Sequence, residues 1–196
     1  ISISRHDLER VHTRKYHQAF CRDGLSRSEQ RRIGLPATTP LIQRTWLAVG
    51  GTLAAARLAL QCGLACHLAG GTHHAHPDFG SGFCIFNDCA IAAHALLASG
   101  EVNRLMIIDL DVHQGDGTAA CCADESRIFT LSVHAASNFP LRKVASDVDL
   151  PLDDGMDDAA YLNAIGDHVP AWIDHVQPDL VLFNAGVDPH QEDRLG

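Results

Sequence analysis

The fold is decided by the stretch LMIIDLDVH, residues 105–113. Its first four residues are apolar without alternation, which is typical of a strand buried on both faces of a parallel sheet. Acidic side chains begin where the apolar run ends, at Asp109. In sheets of this kind, functional groups gather just past the carboxyl ends of the strands. The stretch therefore predicts a central strand with a site at its end.

Predicted strands and helices alternate on both sides of this stretch. Apolar runs predict further strands at 64–69, 127–134 and 179–186. Periodicity and capping signals predict helices at 7–20, 27–32, 41–61, 87–99, 115–122 and 157–176, with Pro170 expected to kink or break the last. This order favours an α/β fold with three α/β/α layers around a mainly parallel sheet, in one domain over residues 1–196.

The composition excludes several classes of protein. With 46% hydrophobic residues in a chain of 196, a folded core is expected and general disorder is not. The sequence contains no run of eighteen apolar residues, so it predicts no membrane-spanning helix. The net charge of −9 argues against direct nucleic-acid binding. Seven cysteines without a CxxC pair indicate a reduced, cytoplasmic protein. Thirteen histidines point to a histidine-based site.

Three polar side chains of the central stretch are predicted to converge. In an extended chain Asp109, Asp111 and His113 point the same way, because side chains alternate between faces. Two carboxylates and an imidazole suit a divalent cation of the zinc type. The alternative is an Asp that caps the next helix beside an exposed His.

Asp188 follows the strand predicted at 179–186 and offers a third ligand beside Asp111 and His113. Three protein ligands with one open position are typical of catalytic zinc. Taken alone, an Asp before Pro189 is more often a turn residue.

The tandem pair His73-His74 lies in GGTHHA, after the strand predicted at 64–69. One imidazole of such a pair can accept a proton from water while the other steadies a developing anion. Asp116, between two glycines, is placed to orient a histidine by accepting its ring N–H. The alternative is a fortuitous histidine-rich loop or an adventitious metal site. Most other histidines, His12 among them, are expected at surface or packing positions.

Five segments together resemble one family. They are GGTHHA (70–75), SGFCIFND (81–88), DLDVHQGDGT (109–118), TLSVH (130–134) and NAGVDPHQEDRLG (184–196). They are similar to the zinc-dependent histone deacetylases, which include acetylpolyamine amidohydrolases and acetoin-utilisation proteins on an arginase-like fold. The IFND variant and the segment before Gly34 look most like bacterial relatives of the class IV branch.

The resemblance implies a role for individual residues of this chain. It implies zinc ligands Asp111, His113 and Asp188, and catalytic histidines His73 and His74 paired with Asp109 and Asp116. It also implies a potassium ion held by Asp109, Asp111, His113, Ser132 and the carbonyl of Val133, and an acyl-lysine tunnel walled by Gly82, Phe83 and Phe139.

The implied activity is zinc-dependent removal of an acyl group from acylated lysine by activated water. A small acetylated amine is the alternative substrate, and a non-catalytic acyl-lysine binder is the alternative of another class. The family's catalytic Tyr, in a glycine-rich loop, has no match among Tyr16 and Tyr161. We therefore expect the chain to be an incomplete catalytic domain that is part of a longer protein. The alternative is a true truncation, in which the zinc site could persist but catalysis should be badly weakened. The oligomeric state has no sequence signal.

Overall fold

The computed structural model describes residues 3–22 and 24–196 of the chain. From α5 onward, helices and strands follow the order that the sequence predicts, apart from the additional strand β3. The described elements are α1 (Arg5–Leu8), α2 (Arg14–Cys21), α3 (Arg27–Ile33), α4 (Thr39–Cys62), α5 (Asp88–Ser99), β1 (Leu105–Asp109), α6 (Asp116–Cys122), β2 (Ile128–Ala135), β3 (Val148–Leu152), α7 (Asp158–Val176) and β4 (Leu180–Asn184).

The four strands form one parallel sheet in the order β3-β2-β1-β4. All five residues of β1 are buried, as the unbroken apolar run predicted. The register places Asp109, the last residue of β1, beside Ser132 of β2 and Asn184 of β4. The carboxyl ends of three strands therefore meet at one edge, where the polar segments begin.

Two apolar cores lie on opposite faces of the sheet, and β1 contributes alternate residues to each. Leu105 and Ile107 pack into the larger core, which is built mainly from α1 to α5. Met106 and Ile108 pack into a smaller core, which α7 covers with Trp172 and other side chains. Helices therefore cover both faces, and the predicted three-layer α/β/α architecture is confirmed.

The strand predicted at 64–69 is wrong. These residues adopt no strand, and the side chains of Leu64 and Leu68 are 85% and 96% exposed. A strand exists only with a hydrogen-bonded neighbour, and no strand within residues 3–22 and 24–196 pairs with this segment. Apolar character alone does not supply that neighbour.

Three further features of the secondary structure differ from the prediction. The helix expected over 7–20 is divided into α1 and α2, because the side chain of Thr13 caps a new helix by accepting the N–H of Tyr16. Strand β3 was not predicted: its sequence VDLPL carries an Asp and a Pro, and it lies at the sheet edge. Helix α7 continues through Pro170, because its neighbours Val169 and Trp172 pack on the smaller core.

None of the helices in the described part of the chain is long and apolar enough to cross a bilayer.

Candidate active site

Three predicted ligands converge at the carboxyl edge of the sheet. Asp111 and His113 lie in the turn after β1, and Asp188 follows β4. His113 Nδ1 is 2.9 Å from Asp111 Oδ1 and 2.9 Å from Asp188 Oδ2. The backbone N–H of Val112 donates to Asp188 Oδ1 at 2.9 Å, which ties the two segments together. The structure thus brings together the three side chains that the sequence singled out separately.

The charge of this cluster favours a cation. The carboxylates of Asp111 and Asp188 accept hydrogen bonds from the His113 ring and raise the pKa of His113 to about 9. One ligand atom from each of the three residues lies within 4.8 Å of the others. Ligands about 2.0–2.2 Å from a tetrahedral zinc stand roughly 3.3–3.6 Å from one another. The spacing and the donor types therefore fit a zinc ion, which would replace the proton on His113 Nδ1.

His73 is held against Asp109 beside the ligand cluster. His73 Nδ1 donates to Asp109 Oδ2 at 2.6 Å, and both side chains are buried. Asp109 Oδ1 accepts from Asn184 Nδ2 at 2.8 Å, so both oxygens are engaged. Burial disfavours the imidazolium, but Asp109 outweighs burial and the pKa of His73 rises to about 9. The other ring nitrogen, Nε2, lies 3.7 Å from Asp111 Oδ1 and therefore faces the cluster.

His74 forms a second pair, with Asp116 at the start of α6. His74 Nδ1 donates to Asp116 Oδ1 at 2.6 Å. Burial lowers the pKa of His74 despite this carboxylate. The two rings of the tandem pair lie 4.0 Å apart, and the His74 ring lies 5.8 Å from that of His113. The neighbouring histidines thus differ in basicity, because Asp109 outweighs burial at His73 while burial dominates at His74.

The turn before the histidines is anchored on one buried carboxylate, Asp88, at the start of α5. Its oxygens accept from the backbone N–H groups of Gly71 and Thr72 and from the Thr72 hydroxyl. The hydroxyl of Thr52 in α4 donates to the same carboxylate at 2.5 Å. No role was assigned to Asp88 from the sequence. Its position in IFND, in the first turn of the helix predicted at 87–99, is the sequence signal that could have marked it as an anchor.

The backbone of the histidine loop lies directly against α6. The backbone N–H of Thr118 donates to the carbonyl of His73 at 3.0 Å. A Cβ on Gly117 would stand 2.5–2.6 Å from backbone atoms of residues 73–75. The side chain of Asn87 also donates to the carbonyls of His73 and Ala75. Glycine at position 117 is therefore required by this close approach.

His12 fastens the loop from the other side. It is buried, and its Nδ1–H donates to the carbonyl of His76 at 2.9 Å. Its Nε2 accepts the backbone N–H of Asn87 at 2.9 Å. Burial lowers the pKa of His12 to about 4, so the ring is neutral at pH 7. His12 was expected at a surface or packing position; its two bonds to distant backbone leave no trace in the local sequence.

Two of the three predicted tunnel residues lie against His74. The Phe139 ring is 4.8 Å from the His74 ring and 6.2 Å from that of His113. Gly82 is in the left-handed region (φ 52°), and a Cβ there would stand 2.6 Å from the His74 ring. Phe83 is 57% exposed and passes close to Gly34. An apolar wall thus borders the ligand cluster on the Phe139 side.

Of the residues predicted to hold potassium, Asp109 ends β1, Asp111 and His113 lie in the turn after it, and Ser132 and Val133 lie within β2. Ser132 is the register partner of Asp109, and Val133 packs in the smaller core. The hydroxyl of Ser132 lies 3.0 Å from His134 Nδ1.

Comparison with known proteins gives consistent matches. The family model described as "Histone deacetylase domain" matches residues 1–196. An uncharacterized protein of Picosynechococcus sp. is 52% identical over 189 residues, which are 96% of this chain and 63% of that protein. The acetoin utilization protein AcuC of Staphylococcus aureus is 35% identical over 161 residues, which are 75% of this chain and 41% of that protein.

A solved structure supports the same relationship. The crystal structure of a histone deacetylase homolog from Aquifex aeolicus superposes with a TM-score of 0.86 at 26% identity. The match covers 100% of this chain and 58% of that protein. This chain thus spans less than two thirds of the length of these relatives.

Proposed function

The chain belongs to the histone deacetylase family, and from this premise we propose that the protein is a zinc-dependent amidohydrolase that removes acyl groups from acylated lysine. The observation that carries the proposal is the cluster of Asp111, His113 and Asp188 beside two buried His–Asp pairs. A metal ligand set next to two general acid–base candidates matches what amide hydrolysis by water requires.

Asp111, His113 and Asp188 would hold the zinc ion. When bound, zinc lowers the pKa of water from about 15.7 toward 7 and polarises a carbonyl oxygen. Every other task falls to side chains of the protein: removing a proton from water, stabilising negative charge and protonating the leaving amine.

We assign the main general base to His74. Its Nδ1–H is engaged by Asp116, which leaves Nε2 unprotonated in the neutral ring. Burial lowers the pKa of His74 and favours that neutral form. Nε2 can therefore take a proton from water and deliver it to the leaving amine. Asp116 holds the ring orientation and stabilises the imidazolium that forms.

We assign electrostatic stabilisation of the developing oxyanion to His73. The buried Asp109 keeps a proton on Nδ1 through a 2.6 Å hydrogen bond. The opposite nitrogen faces the ligand cluster, 3.7 Å from Asp111. Because the pKa of His73 is raised to about 9, Nε2 also carries a proton at neutral pH, and this fixed N–H donor costs no reorganisation during the reaction.

Gly82, Phe83 and Phe139 would border the acyl-lysine chain. The absence of a Cβ on Gly82 lets the backbone pass next to the His74 ring. The Phe139 ring offers apolar surface to the methylene chain of lysine. A potassium ion held by Asp109, Asp111, His113, Ser132 and the Val133 carbonyl would stabilise the ends of β1 and β2.

The test is turnover by the full-length protein. Acetyl-lysine peptide and acetylspermidine are compared at equal concentration, with and without a chelator, and with zinc restored. We expect hydrolysis of the peptide that the chelator abolishes and zinc restores. Preferential hydrolysis of acetylspermidine would assign the site to small acetylated amines. Peptide binding without turnover would favour a binding protein, and turnover unaffected by metal removal would refute the zinc assignment.

A further inference from the structure

Asp116 serves two histidines, not one. Its Oδ1 accepts from His74 Nδ1 at 2.6 Å, and its Oδ2 lies 2.9 Å from Nε2 of His76. An ionised carboxylate only accepts hydrogen bonds, so both imidazoles donate to it. Together the two histidines lower the pKa of Asp116 to about 2 against the effect of burial, which keeps it ionised. His74 and His76 are therefore linked through one carboxylate, although only His74 belongs to the tandem pair of the sequence.

The pose of His76 is fixed on every side. Its backbone N–H donates to the carbonyl of Phe79 at 2.9 Å, and its own carbonyl accepts from His12. Its ring stacks on the Phe79 ring at 4.3 Å with an interplanar angle of 16°. The Arg32 guanidinium in turn lies 4.5 Å from the centre of the Phe79 ring. With only 12% of its side chain exposed, His76 is packed to aim Nε2 at Asp116.

The second hydrogen bond has a mechanical consequence. A carboxylate that accepts a single hydrogen bond is free to turn about its Cβ–Cγ bond, and the ring it holds turns with it. Catalytic groups act only when they are held within roughly 0.5 Å and 10–20° of the productive geometry. A donor on Oδ2 fixes the plane of the carboxylate, and therefore the direction in which Oδ1 holds His74.

We propose that His76 is a positioning residue, which through the shared carboxylate of Asp116 holds His74 aligned for proton transfer. It does not touch the reacting atoms itself. The assignment rests on the proposed function insofar as it concerns turnover. The hydrogen-bond geometry that it predicts for His74 can be measured without turnover.

Two substitutions in the full-length protein separate the hydrogen bond from the packing. His76→Phe keeps a ring on Phe79 but removes the donor. His76→Gln loses the ring but places an amide N–H where Nε2 stood. We expect His76→Phe to lower kcat on acetyl-lysine peptide roughly tenfold with KM within about twofold of wild type. His76→Gln should keep most of the wild-type kcat.

Either of two results for kcat would overturn the proposal. If His76→Phe has the wild-type kcat, the residue acts through packing alone. If His76→Gln is impaired as much as His76→Phe, an N–H donor at this position does not restore turnover, and the hydrogen bond to Asp116 is not what positions His74. Thermal unfolding of both variants controls for loss of fold.

Proton NMR of the histidine ring N–H groups tests the same inference without substrate. Short hydrogen bonds to the carboxylates of Asp109 and Asp116 place the Nδ1–H signals of His73 and His74 downfield, and His74→Ala identifies the second signal. We expect this signal to move upfield or to broaden beyond detection in His76→Phe, and to persist in His76→Gln. An unchanged signal in His76→Phe refutes the proposal. A wild-type protein that shows this pattern but hydrolyses neither substrate would instead refute the proposed function.

Discussion

Replacing His12 by Phe should destabilise the protein strongly at neutral pH and much less in mild acid. The ring is 1% exposed and bonds the carbonyl of His76 and the N–H of Asn87. Phe fills the space but leaves both buried backbone groups unpaired. Each such group costs about 1–3 kcal/mol, so we expect a loss of about 4 kcal/mol at pH 7.5.

The size of this loss depends on pH through His12 itself. Its pKa falls from 6.5 to about 4 on folding, so the unfolded chain binds a proton that the native protein does not. The contribution of the neutral His12 ring to wild-type stability is therefore complete above pH 6.5 and falls as the pH drops toward 4. Each pH unit in that window removes about 1.4 kcal/mol, which gives about 2 kcal/mol by pH 5. The Phe variant lacks this titration. The difference in free energy of unfolding between wild type and His12→Phe should therefore narrow from about 4 kcal/mol at pH 7.5 to about 2 kcal/mol at pH 5.

Urea unfolding of the full-length wild-type and variant proteins at pH 7.5 and pH 5, with a chelator at both, measures this difference in free energy of unfolding. Thr118→Val is the matched control, since it removes one buried hydrogen bond next to Asn87 without removing a titratable group. Thr118→Val should lower the free energy of unfolding by about 1 kcal/mol relative to wild type at both pH values. A His12→Phe difference that does not change with pH would refute the assignment of a buried neutral ring.

Four further outcomes follow from the site. Asp188→Asn should lower the bound zinc, read by metal analysis, because it removes one of three ligands. His74→Ala should lose turnover roughly 100-fold or more but retain zinc, and an empty site in that variant would contradict its role. Gly117→Ala should cost about 3 kcal/mol in urea unfolding, since its Cβ meets backbone and not a flexible side chain. Asp88→Asn should cost about 3 kcal/mol and also lower kcat, because it weakens the hold on Thr72; wild-type values for either variant would count against the reasoning.

The sequence predicted the architecture where one segment carries its own signal. The run 105–108 is apolar without alternation, and it is the buried central strand. Residues 64–69 carry the same signal and form no strand, because pairing depends on a neighbour that the run itself does not specify. Strand β3 is the converse case: Asp149 and Pro151 hide it in the sequence, while the register with β2 creates it.

The same distinction applies to the site. Asp111 and His113 could be singled out together because they follow closely on one apolar strand, although the strand ends at Asp109 and a turn, not strand alternation, orients them. The partners of the histidines could not, because His73 meets Asp109 and His74 meets Asp116 across 36 and 42 residues of chain. For these pairs the resemblance to a family supplied what local pattern does not contain. His12 and His76 had neither kind of signal, and only the fold reveals their contacts.

The close approach at Gly117 has a consequence for protein engineering. Because the backbone of α6 touches the backbone of residues 73–75, the distance between the main chain of the histidine loop and that of Asp116 is set by direct contact. A graft of the histidine loop alone onto another scaffold would carry the imidazoles without their spacing. Any transferable unit must therefore include the first turn of α6 along with the loop, so that His74 and Asp116 keep their backbone spacing.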